Sequence, residues 1–327
     1  MAAEKDLEHA KIIACTPQKY IMKFNPNGCG TSTPALEADH IFIDEAGYCN
    51  VMNALTLFAN RVPVTFLGDH KQLPPVCTVD NDEIRKFIGE HRSMEYAFLW
   101  SQSALFCESM LTDSVRDVEK AFLDVADPHF TETARCDLTE SHRFGPNLAK
   151  ILDRHVYKNG ISGSGGRPLE IVCIDAECGS REERENLPEA EAVDAFIKAD
   201  GTEDFAVLTP YSRQIRALKE QMPQYKDTRI FTVHKSQGRE WDTVILSVQD
   251  NAGVNRDVPL RFTSSKTDVG MKVINTAVSR AKRRLVVVCD RSFWAPKTDE
   301  LIGDLISAEN CSRICRYAGD GVLEECR

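Results

Sequence analysis

The sequence predicts an α/β protein with parallel sheets, arranged as two units joined by a helical segment. Short apolar, β-branched runs alternate with stretches of helical spacing, the pattern of strands linked by crossover helices. Two of those runs end in polar turns, where strands of a parallel sheet present side chains to a ligand crevice. A length of 327 residues is enough for two ordinary cores.

Taken in order, Lys11–Cys15 is expected as the first strand, followed by His40–Ile43 and Val64–Leu67, with a helix at Val51–Ala59 between the last two. Residues 81–137 carry helical spacing, as in Met94–Phe106 and Ser114–Val125, and few strand signals. The later strands are Leu169–Ile174, Phe205–Leu208, Arg229–Thr232, Thr243–Val248 and Leu285–Cys289. Helices are expected at Pro146–Tyr157, Glu189–Lys198, Ser212–Gln221 and Val269–Ala281. The GISGSGG stretch (160–166) reads as a loop. The first unit therefore covers 1–137, with its helical segment at 81–137. The second covers 138–300, and 301–327 is left as a tail. No internal repeat is visible.

Composition narrows the class. With 42% hydrophobic and 28% charged residues the chain resembles a globular protein. Its longest apolar runs have strand length, so no membrane span and no membrane partner are expected. The polar, acidic MAAEKDLEHAK start is unlike a secretory signal. None of the twelve cysteines forms a CxxC pair, and reduced, buried thiols in a cytoplasmic protein are expected. Cys311, Cys315 and Cys326 fall short of a closed tetrahedral zinc set and are read as free thiols. A net charge of −10 argues against a basic coat for nucleic acid. Locally, however, Arg256 to Arg291 holds nine basic and three acidic residues, and Glu177 to Asp204 holds ten acidic and three basic. A strand gripped in a groove needs only local positive potential.

Four strings carry chemistry: IFIDEAG (41–47), GDHKQLPP (68–75), TVHKSQGREWD (232–242) and NTAVSRAKRR (275–284). Asp44 and Glu45 follow an apolar strand. One carboxylate suits Mg²⁺, directly or through water, and the next can polarise a water that attacks a phosphate. A surface turn with two acids is the plain alternative for that pair alone. Gln72, after the second strand, offers a neutral amide to a phosphate or to the attacking water. Arg143, in LTESHRF, and Arg280, in NTAVSRAK, offer guanidinium groups to the charge of a transferring phosphoryl group. Thr232, His234 and Ser236 could donate to a nucleic-acid phosphate, and Gln237, Gly238 and Glu240 could approach nucleotide and ribose.

Together these strings resemble superfamily 1B helicases, of the type typified by the nonsense-mediated-decay RNA helicase and its bacterial relatives. They are also similar to RecD-type DNA helicases. Matching strings run from about residue 11 to about residue 290. IIACTP (12–17) resembles a nucleic-acid-contacting motif containing Thr16, DEAG resembles motif II, and GDHKQLPP motif III. ESHRF (140–144) resembles the motif that opens the second RecA-like domain, with His142 at a position that is often aromatic and stacked on the base. VLTPYSRQ (207–214) resembles the next, where Tyr211 and Gln214 match, and the last two strings resemble motifs V and VI.

The resemblance implies two RecA-like, P-loop NTPase-type domains, the first truncated at its N-terminus. It implies ATP and Mg²⁺ as cofactors and single-stranded or duplex DNA or RNA as partner, with ATP-driven movement in the 5′→3′ sense. Asp44 as the metal ligand, Glu45, Gln72, Arg143 and Arg280 would form the catalytic set, converging on one interdomain cleft. His142, Gln237, Gly238 and Glu240 would bind nucleotide. Thr16, Tyr211, Gln214, Thr232 and His234 would meet nucleic acid. Two departures stand out. Tyr48 occupies a position that is usually glutamine, and no G-x-x-x-x-G-K-[ST] loop occurs in the sequence. NGCGTST (27–33) lacks the lysine and is read as a plain loop. The chain is therefore expected to be part of a longer protein, with little ATPase of its own. A non-catalytic helicase-like module is the alternative, and the complete set of five catalytic residues weighs against it.

Overall fold

The structure, a computed structural model, describes residues 10–24, 38–50, 54, 57, 62–75, 136–164, 167–176, 185–251 and 260–325. The chain forms two compact units, Met1–His70 with Pro74–Arg135, and Lys71–Leu73 with Cys136–Arg327.

In the first unit, helix α1 (Pro17–Phe24) starts with proline at a position where a missing N–H costs nothing. Thr16 precedes it, and its hydroxyl accepts from the Lys19 N–H at 3.2 Å. The expected strand at Lys11–Cys15 does not form; these residues are irregular and Ile12 is 89% exposed. An apolar run becomes a strand only where a partner takes its hydrogen bonds, and the helix start at Pro17 leaves only a short irregular approach. Strand β1 (Ile41–Ile43) pairs in parallel with β2 (Val64–Phe66), Ile41 opposite Val64. Ile43, Ala46 and Ala54 form a small core with Val64 and Phe66 against it. Of the expected helix at Val51–Ala59 only Ala54 and Leu57 lie within the described residues, and 81–135 lies outside them.

The second unit is built on a seven-stranded sheet. Its strands are β5 (Glu170–Asp175), β6 (Phe205–Thr209), β7 (Ile230–Thr232), β8 (Trp241–Ser247), β9 (Ala281–Cys289), β10 (Arg313–Tyr317) and β11 (Leu323–Glu325), in the order β11-β10-β5-β9-β8-β6-β7. All neighbours run parallel except β10 and β11. A two-stranded ribbon, β3 (Glu140–Ser141) with β4 (Ser162–Gly163), stands apart from it.

Alternation along the strands separates two cores. Ile171, Cys173, Val244, Leu246, Leu285 and Val287 face one side with α2 (Pro146–Leu152), α5 (Asp268–Val278) and α7 (Leu301–Leu305). Val172, Ile174, Ile245, Val286 and Val288 face the other with α3 (Leu187–Asp200) and α4 (Ser212–Gln221). Burial on both faces is why these strands are continuously apolar. A short helix, α6 (Arg291–Trp294), follows β9.

The residues after 300 are not a tail. They supply α7, β10 and β11, and β10 lies parallel to β5 with Ile314 opposite Cys173. RICRY hides as a strand because only Ile314 and Cys315 of its five residues are buried. Cys311 and Cys315 are unbridged, and Cys326 lies outside the described residues. Among the described residues no three His, Cys, Asp or Glu side chains are grouped to hold a metal, and no helix is long and apolar enough to cross a membrane.

Candidate functional site

In the first unit the turn after β1 presents Asp44 and Glu45, both exposed. The Glu45 N–H donates to Asp44 Oδ1 at 2.9 Å. Glu45 sits at φ 52°, in the left-handed region, which costs a non-glycine residue about 1 kcal/mol and is common at functional sites. Two glycines bring this turn against the one after β2. A Cβ on Gly68 would stand 2.9 Å from the Gly47 nitrogen, and one on Gly47 would stand 3.0 Å from the Asp69 carbonyl oxygen. The Ala46 N–H donates to the Leu67 carbonyl at 2.8 Å, locking the two turns in register. Tyr48 is 38% exposed beside them.

Asp44 suits Mg²⁺ by the chemistry of its donor. An exposed carboxylate at a strand end is what an ion that keeps several waters and takes one or two carboxylates requires.

In the second unit the chain collects the tripeptide Lys71–Leu73, Arg143, Gln237, Gly238, Glu240 and Arg280. Arg280 follows α5 and is only 2% exposed. Its Nη2 donates to Gln72 Oε1 at 2.7 Å, and Nη1 lies 3.5 Å from the Arg239 carbonyl. Arg143 Nε donates to Glu240 Oε2 at 2.8 Å, and Nη1 reaches the Ser279 carbonyl at 3.3 Å. Lys282 stands 3.7 Å from the other Glu240 oxygen. Gln237 Nε2 reaches the Leu73 carbonyl at 3.4 Å, while its buried Oε1 has no partner among the described residues. Gly238, at φ 72° with open space around it, makes the turn into β8. His142 is exposed, and its Nδ1 lies 2.6 Å from Ser164 Oγ.

The residues expected to meet nucleic acid are placed unevenly. Thr16 is exposed in the first unit. In the second, Thr232 is half-buried and opens the short 3₁₀ turn Val233–Ser236. His234, in that turn, is held below the usual imidazole range by burial. Tyr211 donates its hydroxyl to Asp250 and packs edge-on against Phe262. Burial, then the Asp250 carboxylate, pushes its phenol up.

Gln214 lies inside the fold. It is fully buried, its Oε1 accepts from the Asn186 N–H at 2.7 Å, and its Nε2 donates to the Asn186 carbonyl and to Ser247 Oγ. An amide bonded in this way braces α4 against β8.

Sequence reasoning missed Asn275 and Thr276, which hold Lys71 and Leu73. A signal was present. Both are polar and flanked by Val273, Ile274, Ala277 and Val278 on a buried helix, which demands partners for them. It also missed Glu189, buried among Asn186, Ser247 and Gln249.

Residues 169–292, the core of the second unit, match the family described as AAA domain. The unit is a mixed α/β domain on a mainly parallel sheet, and the matched segment is similar to superfamily 1 helicases. The chain is 24% identical over 284 residues to the Methanocaldococcus jannaschii protein named uncharacterized ATP-dependent helicase MJ0104, covering 83% of this chain and 38% of that protein. It is 28% identical over 310 residues to the mouse 3′-5′ exoribonuclease HELZ2, covering 88% of this chain and 10% of that protein. The rat DNA-binding protein SMUBP-2 is 23% identical over 313 residues, covering 88% and 29%. The chain thus spans well under half the length of these relatives. A solved PRRSV helicase structure overlays with a TM-score of 0.41 at 18% identity, covering 84% of this chain and 46% of that one.

Proposed function

We propose that this chain provides motifs II to VI of an ATP-dependent helicase or translocase that moves on single-stranded DNA or RNA, in the 5′→3′ sense. The observation that carries the reading is the hydrogen bond between Arg280 and Gln72, which joins two motif strings on one buried guanidinium. In this reading Asp44 holds Mg²⁺, which when bound neutralises phosphate charge. Glu45 accepts the proton of the attacking water, and the Gln72 amide orients that water. Arg143 and Arg280 meet the charge that spreads over the γ-phosphoryl oxygens.

Arg143 would leave Glu240 to do so. The two side chains are 35% and 45% exposed, and an ion pair that open is worth about 0–1 kcal/mol. The exchange for a triphosphate is therefore cheap. His142, Gln237, Gly238 and Glu240 contact base and ribose in this scheme. Thr16, Thr232 and His234 donate to the nucleic-acid backbone, and Tyr211, through its tie to Asp250, shapes the surface beside them.

Hydrolysis also needs the triphosphate held in line, the task of a G-x-x-x-x-G-K-[ST] loop, which the sequence does not contain. The test is phosphate release from residues 1–327 and from a longer chain in which such a loop precedes residue 10. The longer chain should turn over faster with single-stranded nucleic acid and lose turnover on Glu45→Gln. The 1–327 chain should show little. Robust hydrolysis by 1–327, or a longer chain indifferent to Glu45→Gln, would contradict the assignment.

A further inference from the structure

Lys71, Gln72 and Leu73 belong to the second unit and are fastened to it on both sides of Gln72. The Lys71 carbonyl accepts from Asn275 Nδ2 at 3.0 Å, and the Leu73 N–H donates to Thr276 Oγ1 at 3.2 Å. Asn275 Nδ2 also donates to the Tyr157 hydroxyl at 3.0 Å. Leu73 is 2% exposed and packs in the core beneath α2 and α5. Asn275 and Thr276 are both fully buried.

We infer that Asn275 and Thr276 are positioning residues that clamp the backbone around Gln72 and thereby present its amide oxygen to Arg280. The inference rests on the reading of Gln72 and Arg280 as a working pair. The physical argument is geometric. Peptide groups are planar, so each hydrogen bond fixes one plane, and the planes on either side of a Cα determine its φ and ψ. The Lys71 carbonyl and the Leu73 N–H belong to the two planes that flank Gln72. With that backbone set, few rotamers remain, and the observed one brings Oε1 to 2.7 Å from Arg280 Nη2. The clamp also gives the Asn275 amide nitrogen and the Thr276 hydroxyl partners on the buried face of α5, where leaving them unbonded would be expensive.

The experiment reads the clamp directly on the 1–327 chain, without nucleotide. Backbone hydrogen exchange follows the Leu73 amide, and ¹⁵N NMR of the arginine side chains follows hindered rotation of the Arg280 guanidinium. Thr276→Val keeps the shape and removes the acceptor. It should speed Leu73 exchange about tenfold or more and speed rotation of the Arg280 guanidinium, while the amides of β8 and β9 stay protected. Thr276→Ser should restore both signals. Gln72→Ala, which leaves the clamp intact, should speed rotation of the Arg280 guanidinium and leave Leu73 exchange as in the parent.

Unchanged Leu73 exchange in Thr276→Val would overturn the inference. So would faster exchange with Arg280 still hindered, or opening of Leu73 by Gln72→Ala, which would show that the side-chain contact holds the backbone instead. Failure of the proposed activity would appear in phosphate release and leave these two signals untouched.

Discussion

Replacing Glu189 by glutamine should remove a pH dependence of stability that the fold builds into the second unit. The carboxyl is fully buried. Ser247 Oγ donates to it at 2.6 Å, the Gln249 N–H at 3.0 Å and Asn186 Nδ2 at 3.0 Å. Burial raises its pKa most. The bonds from Ser247 and Gln249 act in the opposite sense, nearby Asp250 and Asp290 raise it further, and the result is about 8 against an ordinary 4.5. The folded state therefore favours the protonated form.

The stability from that preference is fully present below pH 4.5 and is lost as pH rises through about 8. Across that window the loss is on the order of a few kcal/mol. Urea unfolding of the parent and of Glu189→Gln at pH 5, 6, 7 and 8 measures it, since other titrating groups cancel in the difference. Relative to the variant, the parent should weaken steadily with pH. Parallel stability profiles, or a parent that gains on the variant as pH rises, would refute a buried neutral carboxyl at this position.

Leu73→Ala should cost about 2–5 kcal/mol in urea unfolding of the second unit, since a core leucine is cut back to leave a cavity; a loss under 1 kcal/mol would mean that the tripeptide is not seated. Gly68→Ala should destabilise the first unit by about 1–3 kcal/mol, read as faster proteolysis of that unit, because the new methyl meets the Gly47 and Ala46 backbone. Binding of a fluorescent oligonucleotide should weaken about tenfold or more between 50 and 200 mM salt with little preference for sequence. Salt-insensitive binding would exclude a phosphate-led contact.

Much of the second unit was legible because its central strands are buried on both faces. Runs such as Val244–Leu246 and Leu285–Cys289 are apolar throughout, and no other element of that length fits. β10 was not legible, since an edge-side strand with two arginines in five residues carries no such run. The reverse error occurred at Lys11–Cys15, apolar in sequence yet left irregular before a proline-led helix. The site was visible as strings of residues and invisible as contacts. Gln72 and Arg280 stand 208 residues apart, and Arg143 and Glu240 stand 97 apart. Gln214 shows the limit most clearly. A polar residue in a motif reads as a ligand contact, and only the packing of α4 on β8 reveals that its amide is consumed inside the fold.

The most direct test of the account is a double-mutant cycle on Gln72 and Arg280, read by single-turnover phosphate release in the longer chain that carries a phosphate-cradling loop. If the hydrogen bond makes them one device, Arg280→Ala and the double variant should fall to the same rate, because groups that act as a unit are not additive. Losses that multiply, with the double variant slower than Arg280→Ala by the full Gln72→Ala factor, would show that the two side chains act independently and would contradict the account.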